Sequence, residues 1–123
     1  METIQMTPYS RPGLNPVNVP LIVNLICDSF NLKDLAWIKS KCREDKVRIP
    51  RQVLMCCLIE FANYSHREAG NVCDLDHATA YHAKKVVNDT LLNDKLWGER
   101  VRKVYDECWK TSKAHEKQWR VNS

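Results

Sequence analysis

The sequence predicts an all-α domain of five to six helices, and three observations predict it. Apolar residues recur at spacings of three to five along most of the chain after residue 18, as helices with one buried face require. No stretch shows the sustained apolar–polar alternation of a half-buried strand. Capping residues and prolines stand where the helical patterns begin. At 123 residues the chain has the length of one domain, which buries about two-thirds of the surface its unfolded form exposes.

The elements follow in order. The first twenty residues hold Pro8, Pro12, Gly13, Pro16 and Pro20, so 1–18 reads as an extended or disordered arm ahead of a helical domain over 19–120. From Val19 to Phe30, Leu21, Ile22, Leu25, Ile26 and Phe30 make one apolar face. Asn31 is placed as the N-cap of a short second helix, with Leu32, Leu35, Ala36 and Ile38 inward. Pro50 suits the first position of a third helix, which buries Val53, Leu54, Cys57, Leu58 and Phe61.

Asn63-Tyr64-Ser65 interrupts the pattern, and Ser65 with Glu68 forms a capping box for a short helix from His66 to about Val72. Cys73-Asp74-Leu75 is a tight connection in which Asp74 tolerates a left-handed backbone. Asp76 caps the next helix, whose inner stripe is Ala80, Ala83, Val87 and Leu91; His82 is placed on the inner side as a buried, hydrogen-bonded histidine. Asn93 or Asp94 starts the last helix, with Trp97, Val101, Val104, Tyr105 and Cys108 inward.

Composition excludes several classes of function. With 44% hydrophobic and 28% charged residues the chain reads as a soluble globular protein. No run approaches the roughly 18 apolar residues of a membrane span. The start lacks a basic head followed by an apolar stretch, so no secretory signal is expected. The six cysteines then read as reduced thiols in a cytoplasm. Three glycines leave little for a phosphate-cradling loop. Cys73, His77 and His82 lack a fourth metal ligand, and no Cys-x-x-Cys pair exists. No third group orients a cysteine–histidine pair. The expectation is a protein that is not an enzyme, with no metal and no cofactor.

Charge is concentrated. Lys39, Lys41, Arg43, Lys46, Arg48 and Arg51 oppose only Glu44 and Asp45, a local excess of four that equals the net charge of +4 for the whole chain. Such a segment is a candidate footprint for phosphates. Lys84, Lys85 and the C-terminal Lys110, Lys113, Lys117 and Arg120 read as solvated faces. After the basic segment come two short helices joined by a turn of about three residues, the helix-turn-helix arrangement. Its second helix enters the major groove with its first residues toward the bases.

The wording of this region goes beyond spacing. Pro50-Arg51-Gln52 and Met55, then Ser65-His66-Arg67-Glu68-Ala69-Gly70, then Asp76-His77-Ala78-Thr79 and His82-Ala83 resemble the C-terminal DNA-binding domain of the bacterial replication initiator family, DnaA. The likeness covers roughly residues 19–108, without room for the ATPase module that precedes this domain in the family. It implies a DnaA C-terminal-domain-like fold of the Trp-repressor type. It also implies a double-stranded DNA partner bound by a monomer, with replication proteins as further partners.

Carried over position by position, the resemblance implies that Arg43 enters the minor groove, while Arg51 and Gln52 hold phosphates. Asp76, His77 and Thr79 read base edges and thymine methyls, with Ala78 where the family has a threonine. Lys46 and Arg48 would add phosphate contacts. The chemistry is consistent: a carboxylate accepts from a cytosine amino group, and methyl groups lie against thymine. The chain departs from the pattern in two further places. Its turn is one residue shorter, with Asp74 and Leu75 in place of glycines and an arginine. Its first motif helix starts with His66-Arg67 rather than Leu-Pro, exchanging an apolar base contact for phosphate contacts. These departures imply an altered sequence preference, in a protein of replication or transcription control that fits a bacteriophage or mobile element. The alternative is a protein–protein interaction module that keeps the fold but not base reading, for which exposed Trp37, Trp97, Trp109 and Trp119 would speak.

Overall fold

The computed structural model describes the backbone of residues 17–122 and the side chains of residues 17–112. Residues 1–16 of the expected arm over 1–18, and the side chains of Lys113, Lys117, Trp119 and Arg120, lie outside the described residues. Among those described, the chain forms six α-helices and no strand: α1 (Val19–Phe30), α2 (Leu35–Lys39), α3 (Asp45–Phe61), α4 (His66–Val72), α5 (His77–Asp89) and α6 (Gly98–Asn122), with a 3-10 turn at Leu91–Asn93.

The centre is α3, against which α1, α2, α4, α5 and α6 all pack. Residues 53–58 are buried without a break, so Met55 and Cys56 join the core beside the expected stripe of Val53, Leu54, Cys57 and Leu58. This middle stretch of α3 is covered on every side and accordingly has no polar face. Each fully buried Leu or Val contributes about 1.5–3 kcal/mol through removal from water. Tyr105 of α6 meets Phe61 edge to face at 5.4 Å, and its hydroxyl is satisfied by the Cys56 thiol. Val17 is buried, and its N–H donates to the Phe61 carbonyl at 2.6 Å, tying the chain entry to the end of α3.

Three expected helix starts are corrected. Asn31 is not the N-cap of α2 but the left-handed C-cap of α1, at φ 58°; Asp34 caps α2, accepting from the Trp37 N–H. Ala36 is exposed as a result, although Ile38 is buried. Pro50 lies inside α3, which begins at Asp45. The missing proline N–H costs one helical bond, and burial of Val47 and Ile49 holds the turn before it. The last helix begins at Gly98, not at Asn93 or Asp94. Asp94 instead closes the turn ahead of it, its carboxylate accepting from Leu96 and Trp97 N–H groups at 2.9 and 2.7 Å.

Candidate nucleic-acid interface

The helix-turn-helix is built as its capping residues dictate. Ser65 accepts from the Glu68 N–H at 3.1 Å while Glu68 accepts from the Ser65 N–H at 2.9 Å, a complete capping box at the start of α4. The turn closes with Asp74 at φ 59°; Asn and Asp tolerate this conformation better than other side chains. Lys39 at the end of α2 lies 3.3 Å from the Asp74 carboxylate, linking the basic segment to the turn. Gly70 allows α4 to meet the chain entering α5. A Cβ there would stand 2.6 Å from the Asp76 carbonyl oxygen and 2.7 Å from that of Leu75.

Asp76 caps α5. Its Oδ1 accepts from both the N–H and the hydroxyl of Thr79, at 2.9 and 2.7 Å. These bonds hold its carboxyl below the usual carboxylate range, so Asp76 is ionised at neutral pH. The first turn of α5 is open to solvent: His77, Ala78 and Thr79 are all exposed, while Ala80, Ala83 and Val87 are buried against the core.

Beside α5 runs a groove of about 290 Å³ whose far wall is the basic segment. Lys39, Lys41, Arg43, Arg48 and Arg51 line it, and among the described residues no carboxylate does. Its apolar floor includes Met55, Leu75 and Ala83, and the Gln52 Oε1 in its wall is buried without a hydrogen-bond partner. The cations differ in their freedom. Arg51 donates to the carbonyl oxygens of Ser40 and Cys42, the latter at 2.9 Å, and so fixes the loop between α2 and α3. Lys46 pairs with Glu44 at 3.2 Å, and Arg48 pairs with Asp45. Lys41 and Arg43 are exposed and, among the described residues, make neither a hydrogen bond nor an ion pair. Cys73 lies in the groove wall, where burial pushes its thiol up to about 11 despite the nearby Arg51 and Lys39.

A family model described as the bacterial DnaA protein helix-turn-helix matches residues 19–87, from α1 to the end of the α5 core stripe. The chain belongs to the DnaA helix-turn-helix family. It is 30% identical over 87 residues to a chromosomal replication initiator protein DnaA of Desulfotalea psychrophila, covering 71% of this chain and 18% of that one. Against the protein of the same name from Thermoanaerobacter sp. it is 26% identical over 88 residues, 72% of this chain and 20% of the other. The chain thus spans about a fifth of the length of these curated relatives. What it shares with them is the DNA-binding helix-turn-helix unit of the DnaA family.

Most of the residues expected to meet DNA fall into two neighbouring groups. Asp76, His77, Ala78 and Thr79 stand at the start of α5, and Arg43, Arg48, Arg51 and Gln52 line the groove beside it. Lys46 lies on the first turn of α3, engaged with Glu44. Arg67 is exposed on α4, but His66 is half-buried. The His66 ring meets that of Tyr81 edge to face at 5.5 Å. Burial, with Lys84 and His77 close by, holds the His66 pKa below its ordinary value.

His82 departs from expectation. It is exposed and lines the groove opposite the basic segment, rather than lying buried on the inner side of α5. Sequence reasoning also missed Tyr81, which is 59% exposed. Among the tryptophans, Trp97 stacks on Phe30 at 6.1 Å beneath Arg100, Trp109 packs against the core, and Trp37 is exposed. Among the described residues no group of three or more His, Cys, Asp or Glu side chains could hold a metal ion, and no helix is long and apolar enough to cross a membrane.

Proposed function

We propose that this protein binds double-stranded DNA sequence-specifically as a monomer. The start of α5 would lie in the major groove and the residue 40–44 loop against the adjacent backbone and minor groove. The observation that carries this reading is the exposed first turn of α5 beside a cationic groove lined by no carboxylate. Asp76 is ionised and accepts from a cytosine amino group, while Ala78 and the Thr79 methyl pack on thymine methyls. The Thr79 hydroxyl is occupied by Asp76, which turns this residue toward apolar rather than polar reading.

Arg43, without a partner among the described residues, is placed to enter a narrow A·T-rich minor groove. Lys41 and the helix starts supply phosphate contacts and the salt dependence that comes with them. Arg51 positions the loop and offers its remaining N–H groups to a phosphate. The relatives are named for chromosomal replication initiation. The process served here is accordingly control of replication initiation, or of transcription from sites of the same kind.

The test is binding of purified protein to a duplex carrying a DnaA box and to a scrambled duplex, across a salt series. Preference for the box that persists as salt rises is the expected result if residues 76–79 read the family's sequence. Equal, steeply salt-dependent binding would assign another target site, to be selected from random sequence. No binding at low salt would overturn the reading and favour a protein-interaction module.

A further inference from the structure

Resting on that DNA-binding reading, we infer that Tyr81 is a specificity-determining residue, its ring packing against a thymine methyl and held in place by His66. Three observations support it. Tyr81 is 59% exposed and, among the described residues, is the exposed large hydrophobic side chain of the helix-turn-helix; Trp37 and Leu96 lie elsewhere. It stands one helical turn beyond His77 and Ala78 and so shares their outward face. Its ring is braced from α4 by the His66 edge, at 5.5 Å and 70°.

The brace is itself constrained. His66 Nε2 is buried without a hydrogen-bond partner, so this imidazole is held in a ring contact rather than reaching outward to a phosphate. Burial and the neighbouring Lys84 and His77 favour its neutral form, which suits packing against another ring. One turn of helix climbs about 5.4 Å against about 3.4 Å per base step. With α5 along the groove, Tyr81 therefore meets a base pair one or two steps from those facing His77 and Ala78. An aromatic face at that point matches the 5-methyl of thymine, the apolar feature of the major groove.

The experiment starts from a duplex selected from random sequence by the wild-type protein. Each thymine in it is then replaced singly by deoxyuridine, which removes the methyl alone. Besides any thymines that Ala78 and Thr79 meet, wild type should lose about three- to fivefold in affinity at one more, the worth of a buried methyl. Tyr81→Ala should bind the parent duplex more weakly and be indifferent to that replacement, while its affinity for unrelated duplex stays within about twofold. Tyr81→Leu retains apolar bulk and should keep part of the response. His66→Ala should blunt it, and His66→Phe, which keeps the ring contact, should restore it. If Tyr81→Ala selects the same site and answers every replacement as wild type does, the inference fails and DNA binding stands. A wild type that binds no duplex overturns both.

Discussion

Arg51, half-buried on the second turn of α3, donates to the carbonyl oxygen of Cys42 nine residues earlier, at 2.9 Å, while also bonding the Ser40 carbonyl. The arginine that the resemblance assigns to phosphates is therefore a loop anchor, whatever else it touches. A planar guanidinium spans two carbonyl groups in a way that a lysine ammonium does not.

Arg51→Lys and Arg51→Ala should both free the 40–44 loop. Hydrogen bonds from a charged donor contribute on the order of 1–3 kcal/mol, and a stability loss in that range is expected for Arg51→Ala. Faster amide exchange in the loop, measured without DNA, would distinguish loss of anchoring from loss of a phosphate contact.

Gly70→Ala should destabilise the domain by about 1–3 kcal/mol, because the new methyl would meet two backbone carbonyls that cannot rotate away. A lower thermal midpoint together with weakened DNA binding is expected, since the strain falls at the entry to α5. An unchanged melting curve would mean that α4 and α5 can move apart without cost.

Asp76→Asn separates two roles. Asparagine is also a good N-cap, so helix content and thermal midpoint should change little. The negative charge is lost, however, and discrimination for cytosine at one position of a selected site should fall. Equal base preference in wild type and variant would reduce Asp76 to a cap.

Thiol reactivity should be confined. Cys27, Cys56, Cys57, Cys73 and Cys108 are buried, and only Cys42 is partly exposed. Burial raises the thiol pKa of Cys27, Cys56, Cys57 and Cys73, leaving little reactive thiolate at those four sites. Iodoacetamide on the native protein at pH 8 should modify Cys42 alone, as peptide mass mapping would show. If the proposed docking holds, saturating DNA should slow that reaction, because Cys42 sits in the loop that would then face the duplex.

The lowered His66 pKa has a definite sign. Folding favours the neutral imidazole, so the unfolded chain takes up a proton first as pH falls below about 6.5. The His66 contribution is complete above that pH and diminishes down to the folded-state pKa. His66→Phe should flatten this part of the stability–pH curve, measured by urea unfolding at successive pH values.

Much of the helix-turn-helix was legible because its signals are local. The side chains of Ser65 and Glu68 bond each other's backbone, and Asp76 caps within one turn. Asn31 misled because Asn serves both as an N-cap and as a left-handed C-cap, and α1 claimed it. Pro50 misled because buried Val47 and Ile49 secure a helical turn that local preference would end. His82 was within reach of simple geometry. At about 100° per residue it lies roughly 200° around α5 from buried Ala80, on the outward side. Tyr81 and His66 were not so accessible, since their contact joins two helices and depends on how α4 crosses α5.

At Gly70 the two helices of the motif approach with no side chain between them, one backbone against another. The pitch of α5 against α4 is thus set by main-chain atoms, which side-chain replacements at His66, His77, Ala78 or Tyr81 do not remove. The motif behaves as a rigid holder with exchangeable tips, in which target preference can drift while the holder keeps its shape.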